Sequence, residues 1–249
     1  MLLDDKVCLI TGSSRGFGAK IAEVMAREGA RIVVTFLEGD NEEKENARRV
    51  AEKIGSTLVV PIDIRKRASV RNAVERIVEE YSRIDILVNN AGINRTADFD
   101  KQTEEDWHDV LETNLKGTFI CSQECLPHIP EGGRIINIGS VSGQYGGPRT
   151  PSYACAKAGV MALTHNMARF AGERNITVNC VSPGMISSEM LTQTMSPELQ
   201  QKLLQDVPLK RYGTMDEVAE TVAFIASQGA GYISGQTIGV NGGLWVSGF

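Results

Sequence analysis

Apolar residues recur along this chain in two alternating rhythms. Short runs rich in Val, Ile and Leu occupy residues 7–11, 31–36, 58–62, 84–89, 134–138, 176–181 and 237–240. Their density predicts strands buried on both faces, because one-sided strands alternate apolar with polar residues. Between the runs, apolar positions recur at helical spacing. Phe17, Ile21, Val24 and Met25 trace one face of a helix that stops at Gly29. Further helices are predicted over 41–54, 70–81, 104–126, 153–170 and 216–226. Seven strands joined by helical crossovers imply a doubly wound α/β fold with a seven-stranded parallel sheet covered by helices on both faces. No linker, repeat or low-complexity tract interrupts the pattern, so residues 1–249 are expected to form a single domain. In such a sheet, ligands bind outside the carboxyl ends of the strands. The chemistry should therefore lie just after each apolar run.

Composition narrows the possibilities. With 26 Lys and Arg against 31 Asp and Glu, the net charge is −5, which disfavours a general nucleic-acid binder. No apolar run approaches the ~18 residues of a membrane span. Residues 1–5 carry no basic leader pattern, so no signal peptide is expected. The odd count of 5 Cys, without a Cys-x-x-Cys pair, suits reduced thiols and a cytoplasmic setting. His108, His128 and His165 have no ligand-like spacing, so no metal site is expected.

After the first run comes Thr11-Gly12-Ser13-Ser14-Arg15-Gly16-Phe17-Gly18. Glycines allow a sharp turn and a close backbone approach to phosphate, and the following helix start offers free N–H groups. This is the expected Rossmann-type dinucleotide site. Its Gly-x-x-x-Gly-x-Gly spacing resembles that of the short-chain dehydrogenase/reductase family. So do Asn89-Asn90-Ala91-Gly92 after the fourth run, Asn114, Ser140, Tyr153 and Lys157, Pro183-Gly184, and Asn241-Gly242-Gly243. The resemblance covers nearly the whole chain. It implies an oxidoreductase with catalytic Asn114, Ser140, Tyr153 and Lys157. It also implies a cofactor held by Gly12, Ser14, Arg15, Gly16, Phe17, Gly18, Asp63, Ile64, Asn90, Ala91, Gly92, Tyr153, Lys157, Pro183, Gly184, Ile186 and Ser188. Asp63 would accept from the adenine amino group, and Asn114 would hold a water relaying protons to Lys157. Most family members are tetramers, and the small residues Ala154, Ala158 and Ala162 on one helix suit close packing.

The residues support this chemistry on their own terms. Tyr153 and Lys157 stand one helical turn apart, on one face. An ammonium ~4 Å from a phenol, at an effective dielectric of ~20, favours the phenolate by ~4 kcal/mol. Such a phenol suits reversible proton transfer between alcohol and carbonyl. The Ser140 hydroxyl, at a strand end, can stabilise a developing alkoxide. For the cofactor, the end of the second run decides. An NAD site usually places Asp or Glu there, but this chain has Phe36 and Leu37. Arg15 could pair with a 2′-phosphate, so NADP(H) is expected over NAD(H). Glu38, Asp40, Glu42 and Glu43 follow closely and are expected to face solvent.

Residues 185–207, with Met185, Met190, Leu191 and Met195, form the expected substrate lid. Within the family the chain most resembles the 3-oxoacyl-(acyl-carrier-protein) reductases, which implies a 3-oxoacyl thioester substrate. Arg174 matches one of the basic residues those enzymes use to hold the acidic carrier, whereas Glu131 stands where the other is expected. That carboxylate would repel an acyl carrier protein. The alternatives are an alcohol, sugar or steroid dehydrogenase of the same family and, more remotely, a non-catalytic dinucleotide sensor.

Overall fold

The computed structural model describes residues 1–187, 198, 201 and 204–246. Its centre is a parallel sheet of seven strands in the order β3-β2-β1-β4-β5-β6-β7. The strands are β1 (Val7–Ile10), β2 (Arg31–Phe36), β3 (Leu58–Pro61), β4 (Ile86–Asn89), β5 (Arg134–Ile138), β6 (Thr177–Pro183) and β7 (Thr237–Val240). Every residue of β1, β4, β5 and β6 is buried, as the dense apolar runs require. Burial is partial in β3 and β7, the two sheet edges.

Alternate residues of each strand feed two cores, as the period of two dictates. Cys8 and Ile10 of β1 join α1 (Gly16–Arg27), α2 (Asn41–Ile54) and α8 (Met215–Ala226) on one face. Val7 and Leu9 join α3 (Arg67–Tyr81) and α5 (Gly117–Cys125) on the other. The crossovers carry their own stop and start signals. Asp40 caps α2 by accepting from the Glu43 N–H at 3.0 Å, and Gly55 ends it with φ +67°. Thr214 and Glu217 form a reciprocal capping box at α8. No side chain caps α1, whose first N–H groups are thereby left to a ligand.

One expected element differs. The helix expected over 104–126 divides into α4 (Glu104–Leu111), a π-helical turn (Glu112–Lys116) and α5. Asn114 causes the departure. Its side chain accepts from the Ile93 N–H and donates to the Ile93 carbonyl, each at 2.8 Å. The Thr118 hydroxyl also donates to the Asn114 carbonyl at 2.8 Å. A helical residue fastened sideways at both ends of its amide widens its turn.

Buried amides lock the layers together. Asn89 and Asn137 face each other in register on β4 and β5, and Asn89 Nδ2 donates to Asn137 Oδ1 at 2.8 Å. Asn89 also reaches Ser122 on α5, while Asn137 reaches Thr164 on α7 (Pro151–Ala171) at 2.9 Å. These bonds fix α5 and α7 against the strand ends. Residues 188–197, 199–200 and 202–203 of the expected lid lie outside the described residues, Ser188 among them.

Candidate active site

Strand order reverses between β1 and β4, and a cleft of about 1030 Å³ opens above that point. The glycine turn forms its floor. Gly12 and Gly16 hold φ of +64° and +56°, which side-chain-bearing residues adopt only at a cost. A Cβ on Gly18 would lie 2.1 Å from the Gly12 carbonyl and 2.6 Å from Asn90 Nδ2. The turn is also pinned from outside. Asn90 Nδ2 donates to the Thr11 and Gly12 carbonyls at 2.9 and 3.1 Å. Thr11 Oγ1 accepts from the Asn90 and Ala91 N–H groups, each at 3.0 Å. Thr35, on β2, accepts from the Gly12 N–H at 2.9 Å and donates to the Ile10 carbonyl. Nothing in the sequence pattern singles out Thr35; only the β1–β2 register reveals it. This cradle of backbone groups, without side chains in the way, fits a dinucleotide diphosphate.

Gly12, Ser14, Arg15, Gly16, Phe17, Gly18, Asp63, Ile64, Asn90, Ala91 and Gly92 all line the cleft. Pro183, Gly184 and Ile186 line its far wall. The segment through Ile186 is strapped to Gly213, whose N–H donates to the Met185 carbonyl at 3.0 Å. Asp63 is buried, and both of its oxygens accept from the Arg65 guanidinium at 2.9 Å. That pairing, opposed by burial, holds its carboxyl below the ordinary carboxylate range. Asp63 does not cap α3, where Lys66 takes the N-cap position.

The catalytic candidates converge at the sheet's carboxyl end. Ser140 follows β5 and accepts from the Ser142 N–H at 3.2 Å. Tyr153 stands in the first turn of α7, and Lys157 Nζ lies 5.6 Å from its ring centroid. Lys157 is buried, and its ammonium donates to the Ile138 carbonyl at 2.6 Å. The last carbonyl of β5 thus aims the ammonium, and Gly143 admits α6 (Ser142–Tyr145) against it. A Cβ there would meet the Lys157 backbone at 2.7 Å. Ser140, Tyr153 and Lys157 share the cleft with the glycine turn. Asn114 lies behind Gly92, 3.0 Å from where a Cβ on that glycine would sit.

Glu38 stays exposed, as expected, whereas Glu43 departs from the expectation of a solvated loop. Glu38 accepts from the Ser69 hydroxyl at 2.7 Å. Glu43 turns into the cleft, accepts from the Ser14 hydroxyl and lies 2.5 Å from Arg15 Nε. Among the described residues, no group of three His, Cys, Asp or Glu side chains is placed to hold a metal ion.

This sheet, cradle and Tyr–Lys pair define a dinucleotide-dependent oxidoreductase. The family described as enoyl-(acyl carrier protein) reductase matches residues 12–245. The 3-oxoacyl-(acyl-carrier-protein) reductase FabG of Staphylococcus epidermidis is 38% identical over 97% of this chain and 100% of its own. That of Staphylococcus aureus is 40% identical over 97% and 98%. A short-chain dehydrogenase/reductase double mutant of Serratia marcescens superposes with a TM-score of 0.89, at 34% identity over 98% of this chain and 99% of that one. A blue fluorescent protein from a metagenomic library, solved in complex with NADPH, gives 0.91 at 32% identity over 99% and 100%. The chain belongs to the short-chain dehydrogenase/reductase family.

Proposed function

We propose that this protein reduces the ketone of a 3-oxoacyl thioester to a secondary alcohol with NADP(H). The observation that carries the reading is the Tyr153–Lys157 pair on α7, which lines one cleft with Ser140 and the glycine turn. The names of the FabG relatives support the substrate, and the NADPH-bound neighbour supports the cofactor.

Gly12, Ser14 to Gly18, Asn90 to Gly92, Asp63, Ile64, Pro183, Gly184, Ile186 and Ser188 would hold the cofactor, with Tyr153 and Lys157 at its nicotinamide ribose. When bound, it supplies the hydride that reaches the carbonyl carbon. Ser140 donates a hydrogen bond to the carbonyl oxygen and stabilises its growing negative charge. Tyr153 gives that oxygen its phenolic proton, and Lys157 stabilises the phenolate left behind. Lys157 acts from a fixed place because the Ile138 carbonyl holds its ammonium. Asn114, held in place by Ile93, would hold a water that relays protons to Lys157.

A second reading, an alcohol, sugar or steroid dehydrogenase, draws on one surface. Glu131 is exposed where a carrier-protein reductase would place a base, and Arg174 donates to the Leu126 and Ile129 carbonyls. An acidic carrier would meet one repulsive group and one guanidinium already engaged. Oxidation of NADPH, followed by absorbance with acetoacetyl thioesters of coenzyme A and of acyl carrier protein, separates the two. Turnover of neither thioester, with turnover of a sugar or steroid, overturns the first reading. The wider reading is one domain over residues 1–249, a homotetramer, and fatty-acid synthesis in the cytoplasm. Sedimentation as a monomer would reject the tetramer.

A further inference from the structure

We propose that Glu43 sets cofactor preference, its carboxylate competing with the 2′-phosphate of NADP(H) for Arg15 and Ser14. The proposal rests on the cofactor reading above and deepens it. In doubly wound folds the end of β2 reads the adenosine ribose, usually through a carboxylate that accepts from its 2′-hydroxyl. Here β2 ends at Phe36 and is followed by Leu37, and neither can do so. A carboxylate nevertheless reaches this place from the next element. Glu43, in the first turn of α2, reaches back over the glycine turn. One oxygen lies 2.5 Å from Arg15 Nε, and the other accepts from the Ser14 hydroxyl.

Burial shows which partner is fixed. The Glu43 side chain is 15% exposed, whereas that of Arg15 is 74% exposed. Glu43 is held by two partners and by its place near the positive end of α2, where anions are favoured. Arg15 is the exposed member and reaches Glu43 from the solvent side. The other guanidinium groups lining the cleft are committed elsewhere, Arg65 to Asp63 and Arg95 to Asp106 and Asp109. Asp40 is spent on capping α2, and Glu38 accepts from Ser69. The local contest is therefore between the Glu43 carboxylate and an incoming phosphate for one guanidinium and one hydroxyl. A 2′-phosphate must take Arg15 from Glu43 and settle beside a like charge. A 2′-hydroxyl is neutral and can donate to the same carboxylate. Glu43 therefore weakens NADP(H) and leaves NAD(H) unhindered, narrowing the discrimination that Arg15 would otherwise confer.

Titration calorimetry with 2′,5′-ADP and 5′-AMP isolates this end of the cofactor from hydride chemistry. Glu43→Gln should tighten 2′,5′-ADP about fivefold, the scale of one exposed ion pair, with 5′-AMP changed by less than about twofold. The gain should shrink when Arg15→Gln is added, because the guanidinium is one of the two groups that Glu43 withholds. Glu43→Ala should act in the same direction. Both variants keep the backbone N–H that Asp40 caps, so α2 retains its start. Unchanged or weaker binding of 2′,5′-ADP by either variant overturns the proposal, as does a gain undiminished by loss of Arg15. Failure of the cofactor reading has a different signature. A wild-type protein that binds NADH more tightly than NADPH rejects that reading, while the sign of the Glu43 effect is still read from the same titrations.

Discussion

At the scale of single residues, the proposed chemistry rests on a phenol beside a buried ammonium. Tyr153→Phe removes one hydroxyl and keeps the ring beside Lys157 Nζ. It should lower kcat by roughly 10²- to 10⁴-fold, the usual worth of a positioned acid–base group. NADPH affinity, measured by nicotinamide fluorescence, should stay within about twofold, because most of the proposed cofactor contacts lie elsewhere. Retention of most activity would reject the role. Asp63 offers a test of electrostatics. The Arg65 guanidinium beside it, acting against burial, lowers its carboxyl from the ordinary value. The stabilisation is therefore present above pH ~4, the unfolded carboxylate value, and is lost as pH falls through the lower folded value. Arg65 is 44% exposed on its side chain, so screening discounts the pair, and Arg65→Gln should cost about 1 kcal/mol near neutrality. Urea unfolding at pH 7 and below pH ~4 should show that cost shrinking in acid. A constant difference would sink the electrostatic account. Tyr153, Lys157 and Ser140 were legible in the sequence because helical spacing and strand ends place them. Glu43 was not, because a polar helix start does not reveal which of several carboxylates turns inward.

At the scale of elements, the strands were the most legible feature. A parallel sheet buried on both faces must write itself as dense apolar runs, and β1, β2 and β5 do so. The π-helical turn was hidden, because a single widened turn shifts the apolar rhythm of the helix by only about one residue. Asn114 was its only sequence-level sign, an awkward helix former whose amide proves to be fastened to Ile93. The glycine turn was legible as a motif but not as a pinned object, since Thr35 and Asn90 hold it from other strands. The tightest approach lies there. Gly18→Ala would place a methyl 2.1 Å from the Gly12 carbonyl, a contact with backbone that no rotamer relieves. The turn must open, and NADPH binding should weaken by at least about tenfold, or about 1.4 kcal/mol. Circular dichroism should still report a folded sheet, because α1 and β1 keep their core contacts. Unchanged affinity in a folded variant would mean that the turn is not the cofactor's floor.

At the scale of the whole molecule, the cleft joins parts that are remote in sequence. The glycine turn belongs to the β1–α1 crossover, Asn90 to the end of β4, Ser140 to the end of β5, Lys157 to α7 and Ile186 to the segment after β6. A ligand that spans them binds the native arrangement and has little affinity for the unfolded chain. Linkage then stabilises the fold by about 2.7 kcal/mol when the ligand is present at a hundred times its Kd. For a chain of 249 residues, each kcal/mol moves Tm by about 2–4 °C, so saturating NADPH should raise Tm by roughly 5–10 °C. The same experiment separates the halves of the site. On the proposed cofactor placement, 2′,5′-ADP would reach the glycine turn and the end of β2 but not Tyr153 or Lys157, so it should produce only part of the rise. Lys157→Ala should reduce the shift given by NADPH and leave that given by 2′,5′-ADP unchanged. If both ligands lost their effect in that variant, Lys157 would be holding the fold of the cleft rather than the nicotinamide end of the cofactor.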